Sequence, residues 1–187
     1  MHATKLQVKL YARAGRIEPE KLVPVFHDWI RTKKIPDELL IDVADYTHVP
    51  QGPGVVLIGH QSDYYLDVAD DRPGLLYSRK RGFEGDVQAG IDDAFRRALN
   101  ACLLLEHESR LGFEFATDEV VFRVQDRLRA PNEDATYDAY KPGLERAASA
   151  FFGASPSLER IGTPKEPFAV RIHTGSSGSV SDALGRH

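Results

Sequence analysis

The sequence predicts a single-domain α+β protein with one mainly antiparallel or mixed β-sheet of about nine strands and three helices packed on it. Its 187 residues, of which 42% are hydrophobic and 28% charged, are typical of one globular domain with a sizeable core. Segments with a two-residue period occur in consecutive runs, and helical segments lie singly between them. This order favours antiparallel strand pairing with helices on one side of the sheet.

The first two elements are a strand and a helix. Residues 5–11 alternate between apolar and polar side chains, which predicts a half-buried strand with Lys9 on its polar side. Residues 19–33 repeat apolar side chains at helical spacing. Pro24 fits this helix only if the helix begins near residues 20–23, because proline is tolerated in the first turn.

Four strands follow. Residues 39–46 begin with a nearly continuous apolar run, which predicts a central strand covered on both faces. Further strands are predicted at residues 55–60, 64–69 and 75–81. We therefore expect an antiparallel meander of four strands over residues 39–81.

A long amphipathic helix is predicted next. Asp86 is a suitable N-cap, and the apolar stripe that follows it continues to about Glu108. The width of this stripe indicates the main helix packed across the sheet. A hairpin with strands at residues 112–116 and 119–125 is expected after it, with its turn at Thr117 and Asp118.

The last predicted helix covers residues 137–151 and ends at Gly153. Pro142 either starts this helix or kinks it. Two final strands are predicted, at residues 158–162 and 168–173. The domain is expected to span residues 1–174, and the Gly/Ser-rich residues 175–187 to form a flexible C-terminal tail.

Charge and cysteine content restrict the class of protein. With 24 basic and 28 acidic residues the net charge is −4, which argues against a nucleic-acid partner. The single cysteine, Cys102, excludes an intramolecular disulfide and a cysteine-based zinc site. The sequence has no apolar run of membrane-spanning length and no secretory h-region at its start, so we expect a cytoplasmic protein without membrane contact.

The densest group of polar residues lies in residues 42–63. His48, His60 and Asp63 are candidate ligands for a divalent metal such as zinc, iron or manganese. Asp42 and Asp45 are further candidates for acid–base chemistry, although Asp42 fits a charge-paired structural role as well. If the two strands pair in antiparallel fashion, the histidines lie about 20 Å apart and do not converge.

A second candidate site lies in the loop 126–132. Arg127, Arg129 and Asn132 could bind a carboxylate or phosphate beside the start of the following helix. The alternative is a structural clamp between Asp126 and an arginine. Separately, Tyr64 and Tyr65 point to opposite sides of their strand, so Tyr65 is a candidate contact residue on the sheet surface.

No phosphate-binding loop, dinucleotide fingerprint, metalloprotease motif or nucleophile elbow occurs, and no catalytic residue is identified. The leading hypothesis is a non-catalytic intracellular accessory or binding protein, without a cofactor, that presents a sheet-and-loop surface to a protein or small-molecule partner. One alternative is a small metal-dependent or acid–base enzyme with its site in residues 42–63. Another is an anion-binding regulator that uses residues 126–132. A homo-oligomer is compatible with each of them.

Overall fold

The structure is a computed structural model that describes residues 3–49, 52–69, 72–153 and 155–187. Its elements in chain order are β1 (Leu6–Ala14), α1 (Pro19–Thr32), β2 (Leu40–Asp45), β3 (Val55–Gly59), β4 (Ser62–Asp67), β5 (Gly74–Arg79), α2 (Val87–Glu106), β6 (Glu114–Val124), α3 (Asp134–Phe152), β7 (Ser157–Ile161), β8 (Phe168–His173) and α4 (Val180–Gly185). The strands form one antiparallel sheet in the order β2-β3-β4-β5-β1-β6-β8-β7. The predicted α+β fold is confirmed, with eight strands and four helices in the described residues.

All four helices pack against one face of this sheet. Val8 lies opposite Tyr77 on one side and Phe122 on the other, and these three residues join the buried faces of the helices in a single core. The residues between them in each strand lie outside that core. We call the second sheet surface, which no helix of the described chain covers, the open face.

Helix α1 begins at Pro19, just before the expected start at residues 20–23. Because α1 begins at Pro19, Pro24 lies in the second turn and not in the first. Pro24 is exposed, so water can hydrate the backbone carbonyl of Glu20 that the missing N–H leaves unpaired. The helix ends at Lys33, which adopts a left-handed conformation with φ 52°.

The prediction that residues 39–46 form a central strand covered on both faces is wrong. β2 is an edge strand of the sheet. Leu40 is buried, but Leu39 and Ile41 are 67% and 56% exposed, and the pairing of β2 with β3 shifts register between Leu40 and Asp42. An apolar run does not indicate whether a strand lies at the centre or at the edge of a sheet. Strand order depends on how the rest of the chain packs. The predicted meander itself is confirmed, since β2, β3, β4 and β5 pair in sequence.

The predicted hairpin at residues 112–125 is also wrong. These residues contain one long strand, β6, which has two register shifts against β1. Thr117 is buried within it: its hydroxyl donates to the carbonyl of Gly178, and its carbonyl accepts from the hydroxyl of Thr174. Contacts with the C-terminal segment thus stabilise an irregular strand where the local sequence favoured a turn.

Residues 175–187, for which the composition predicted a flexible tail, instead contain helix α4. Ser179 caps this helix, and its hydroxyl and the Asp182 carboxylate form a reciprocal capping box. Val180 is fully buried in the core, and the Arg186 side chain donates to the carbonyl of Phe152 at 2.9 Å. The Gly/Ser-rich residues are therefore only the connection that leads into a packed helix.

The two long helices lie close to their predicted positions. Asp86 caps α2 by accepting from the backbone N–H of Ala89 at 2.9 Å. Helix α3 begins before the predicted residue, contains Pro142 in its interior and ends at Gly153, where φ is 71°. Among the described residues, every helix is too short or too polar to traverse a lipid bilayer.

Candidate functional site

The register of the strands places the polar residues of the open face in rows across the sheet. The central row runs Ala44, Val56, Tyr65, Leu76, Lys9, Val121, Arg171, Glu159. The adjacent row runs Asp42, Ile58, Asp63, Ser78, Gln7, Arg123, Ala169, Ile161. Three residues predicted as site candidates, Asp42, Asp63 and Tyr65, therefore lie on this surface.

A buried ion pair lies near the centre of the open face. Lys9 Nζ lies 2.6 Å from Asp67 Oδ2, and the two side chains are only 1% and 7% exposed. Lys9 also donates to the carbonyl of Ala69, whose N–H donates to the second oxygen of Asp67. The strand pattern placed Lys9 on the polar side of β1, but it gave no signal of burial, because the partner is 58 residues away in sequence.

Charged residues next to this pair form a second ordered network. The Arg72 guanidinium lies 3.5 Å from the centre of the Tyr11 ring and donates to Glu119 at 2.8 Å. Arg171 lies 3.4 Å from Glu119 and 3.3 Å from Glu159. Burial raises the pKa of Tyr11, and the positive charge of Arg72 opposes that rise. The side chains here hold one another in place.

Asp63, a candidate metal ligand, already has three hydrogen-bond donors. Its carboxylate accepts from Lys80 Nζ at 2.7 Å, from the Tyr65 hydroxyl at 3.3 Å and from the backbone N–H of Gly59 at 3.3 Å. Burial and then the charge of Asp63 raise the pKa of Tyr65 to about 12. Tyr65 is half-buried and offers part of its ring to the open face.

The two candidate histidines do not meet. In the pairing of β2 with β3, Asp45 lies opposite Val55 and Leu40 lies opposite Gly59. His48 follows the first of these ends and His60 the second, so the length of β3, about 16 Å, separates them. Within the described residues, no three His, Cys, Asp or Glu side chains are grouped as metal ligands would be. The structure therefore gives the metal hypothesis no support.

Asp42 and Asp45 make local hydrogen bonds instead of facing each other or a histidine. Asp42 accepts from the backbone N–H of Val43 at 2.8 Å. Asp45 accepts from the N–H and hydroxyl of Thr47, and these hydrogen bonds lower the pKa of the Asp45 carboxyl. Both aspartates are exposed. Asp42 thus bonds to the backbone of its own strand and Asp45 to the residues after the strand, and the two do not form an acid–base pair.

The loop 126–132 contains side chains that are used to hold neighbouring loops. Asn132 is buried, and its amide donates to three carbonyls in the β7–β8 connection, of which Ile161 is the nearest at 2.9 Å. Arg127 donates to the carbonyl of Lys165 at 2.6 Å, and Arg129 donates to Asp126 at 2.7 Å. These contacts favour the structural-clamp interpretation over the anion-binding one.

Arg123 differs from the other cations of the open face. It lies on β6 between Gln7 and Ala169 and is partly exposed. Its side chain has no hydrogen-bond or ion-pair partner among residues 3–49, 52–69, 72–153 and 155–187. It lines a groove of about 350 Å³ between β6 and the β7–β8 turn, together with Ile161 and Glu166.

Comparison of the chain with protein-family models and with curated proteins finds no match. Function is therefore inferred from the residues and contacts of the chain itself. Of these, the ordered open face and its single unpaired arginine within the described residues are the features that sequence patterns did not indicate.

Proposed function

We propose that this chain is a non-catalytic accessory or binding protein and that its open face contacts a partner protein. The observation that carries the proposal is Arg123, a partly exposed cation without a partner in the described residues, on a surface where Arg72 and Arg171 are paired. A guanidinium next to apolar and amide groups can bind a partner's carboxylate through two parallel hydrogen bonds. Arginine and tyrosine are also the residues that most often dominate protein–protein binding.

The order of the surrounding side chains supports the same proposal. Association costs free energy for each long side chain that becomes immobilised, and that cost is smaller where the side chains are held beforehand. Lys9 and Asp67 hold each other, and Arg72 is fixed between Tyr11 and Glu119. A partner would thus meet a preorganised surface.

The balance of charge on the open face favours a protein partner over a nucleic acid. Cationic and acidic side chains occur together on it: Lys5, Lys9, Arg72, Lys80, Arg123 and Arg171 lie among Asp42, Asp63, Asp67, Glu119 and Glu159. A polyanion is bound by a strongly basic surface. Arginine and aromatic side chains are enriched in protein interfaces. The cytoplasmic location remains part of this proposal.

Site-specific photo-crosslinking in cells tests the proposal. A benzophenone amino acid at Gln7, beside Arg123 on the open face, is expected to give a discrete cross-linked product. The same group at Arg146, exposed on α3, is the matched control and should not give that product. A product of twice the 20.8 kDa chain mass would identify the partner as a second copy.

Arg123→Glu in the Gln7-labelled chain should abolish the product while the circular dichroism spectrum stays unchanged. The proposal is rejected if Gln7 gives no product, or if Gln7 and Arg146 give the same one. Retention of the product in Arg123→Glu would remove Arg123 from the binding surface.

A further inference from the structure

A small cleft lies on the helical side of the molecule, away from the open face. It is formed between the connection that follows α1 and the exposed side of α2, and its volume is about 280 Å³. Ile35 and Leu104 contribute apolar walls, and Lys34, Arg96 and Arg97 contribute cationic groups. This volume is just below the range of about 300–1,000 Å³ for ligand pockets, so only a small ligand would fit.

The cleft has an excess of positive charge. Asp93 is the common partner of three guanidiniums: Arg79 at 2.8 Å, Arg96 at 2.5 Å and Arg97 at 2.9 Å. The remaining donors of Arg79 bind Gln61 and two carbonyls, whereas Arg96 and Arg97 line the cleft. One carboxylate cannot neutralise three cations. Lys34 adds a fourth cation, and Asp37 and the buried Glu38 add two carboxylates, so one positive charge remains without compensation.

The walls of the cleft are held in place. The Arg97 side chain is mostly buried, its Nε donates to Asp93, and it lies beside the hydroxyl of Tyr64. That hydroxyl is buried and has no hydrogen-bond partner among the described residues. Arg97 is thus held by Asp93 at the wall of the cleft.

The opposite wall has unusual backbone conformations at both ends. Lys33, with φ 52°, and Asp37, with φ 57°, enclose Lys34, Ile35 and Pro36. They are the only non-glycine residues with positive φ in the described parts of the chain. Lys33 ends α1 in this conformation and Asp37 turns the chain towards β2, so the two residues fix the path of this wall.

We propose that this cleft binds a small organic carboxylate with an apolar body. Arginine side chains recognise a carboxylate through paired N–H donors, and the apolar walls provide a surface for the remainder of the ligand. Asp37 in the lining disfavours a doubly charged ligand such as phosphate. The proposal concerns a different surface from the open face and does not depend on the proposed partner.

Calorimetry and NMR titration of the full chain with octanoate test this proposal. Octanoate should bind one saturable site with a dissociation constant of about 1 mM or tighter, as expected for a ligand of this size. Amide shifts should be centred on residues 34–37 and 96–104. Octanol, which has the same body without the charge, and inorganic phosphate, which has charge without the body, should bind much more weakly.

Two variants separate charge from shape. Lys34→Gln with Arg96→Gln removes two exposed cations and should weaken octanoate binding about tenfold or more. Asn100→Trp keeps every charge but fills the cleft from an exposed position, and should abolish binding. Arg146→Gln, which removes an exposed cation from α3, is the control and should bind as the natural chain does.

The proposal is overturned if octanoate shows no saturable binding up to about 10 mM, a concentration well above that expected for such a site. It is equally overturned if Asn100→Trp binds octanoate normally, or if octanol or phosphate binds as tightly as octanoate. Binding that fails in Arg146→Gln to the same extent as in the double variant would show a general charge effect, and would also reject the cleft.

Discussion

The buried ion pair of Lys9 with Asp67 makes a quantitative prediction about stability. At 2.6 Å the direct attraction is about 6 kcal/mol with an effective dielectric constant of 20, most of which offsets the cost of removing both charges from water. Lys9→Met keeps the length of the side chain but leaves the Asp67 carboxylate buried without its cation. Removing one member of a buried pair costs about 3–5 kcal/mol.

We expect a loss of about 3 kcal/mol, at the lower end of that range, because Asp67 keeps its hydrogen bond from the N–H of Ala69. Urea unfolding followed by circular dichroism measures it. With a slope of about 2 kcal/mol per molar, the midpoint should fall by about 1.5 M. The thermal midpoint should fall by about 6–12 °C.

Two companion variants separate charge from packing. Lys9→Met with Asp67→Asn removes both charges and should recover stability to within about 1 kcal/mol of the natural chain. Arg13→Met, on the same strand, breaks an ion pair with Asp118 whose side chains are 46% and 60% exposed, and should cost less than about 1 kcal/mol. A loss below about 1 kcal/mol for Lys9→Met, or no recovery in the double variant, would refute the assignment of a desolvated pair.

Three further predictions concern other parts of the fold. Lys33→Gly should stabilise the protein by about 0.5–1 kcal/mol in urea unfolding because glycine adopts the left-handed end of α1 without strain, and a loss of stability would contradict this. Val180→Ala should lower the free energy of unfolding by about 2 kcal/mol, because Val180 is buried in the core. Ser181→Ala, on the exposed side of α4, should lower it by almost nothing. Equal effects of the two variants would place α4 outside the core. Burial raises the pKa of Glu106, so the folded state retains this proton at pH values where the unfolded state has lost it. The free energy of unfolding of the natural chain, relative to that of Glu106→Gln, should therefore fall as pH rises above about 4.3 towards neutral. Urea unfolding at several pH values measures this difference. A constant or rising difference would contradict the raised pKa.

Local periodicity in the sequence was sufficient to predict most elements of this fold. The alternation at residues 5–11 and the apolar stripes of α1 and α2 depend only on which side of each element faces the core, and their positions were predicted closely. The errors fall where distant parts of the chain determine the outcome. Thr117 lies in a continuous strand because residues 174 and 178 bond to it, and Ile41 is exposed at the register shift between Leu40 and Asp42 in the edge strand β2.

The sequence by itself determined the fold class, the meander and the main helix, since each follows from the side chains within one segment. Tertiary structure alone decided which polar residues meet. It separated His48 from His60, buried Lys9 against Asp67 and left Arg123 without a partner in the described chain. The physical reason is that hydrogen bonds and ion pairs act over a few ångströms. Residues that are far apart in sequence therefore interact only where strand order and register bring them together.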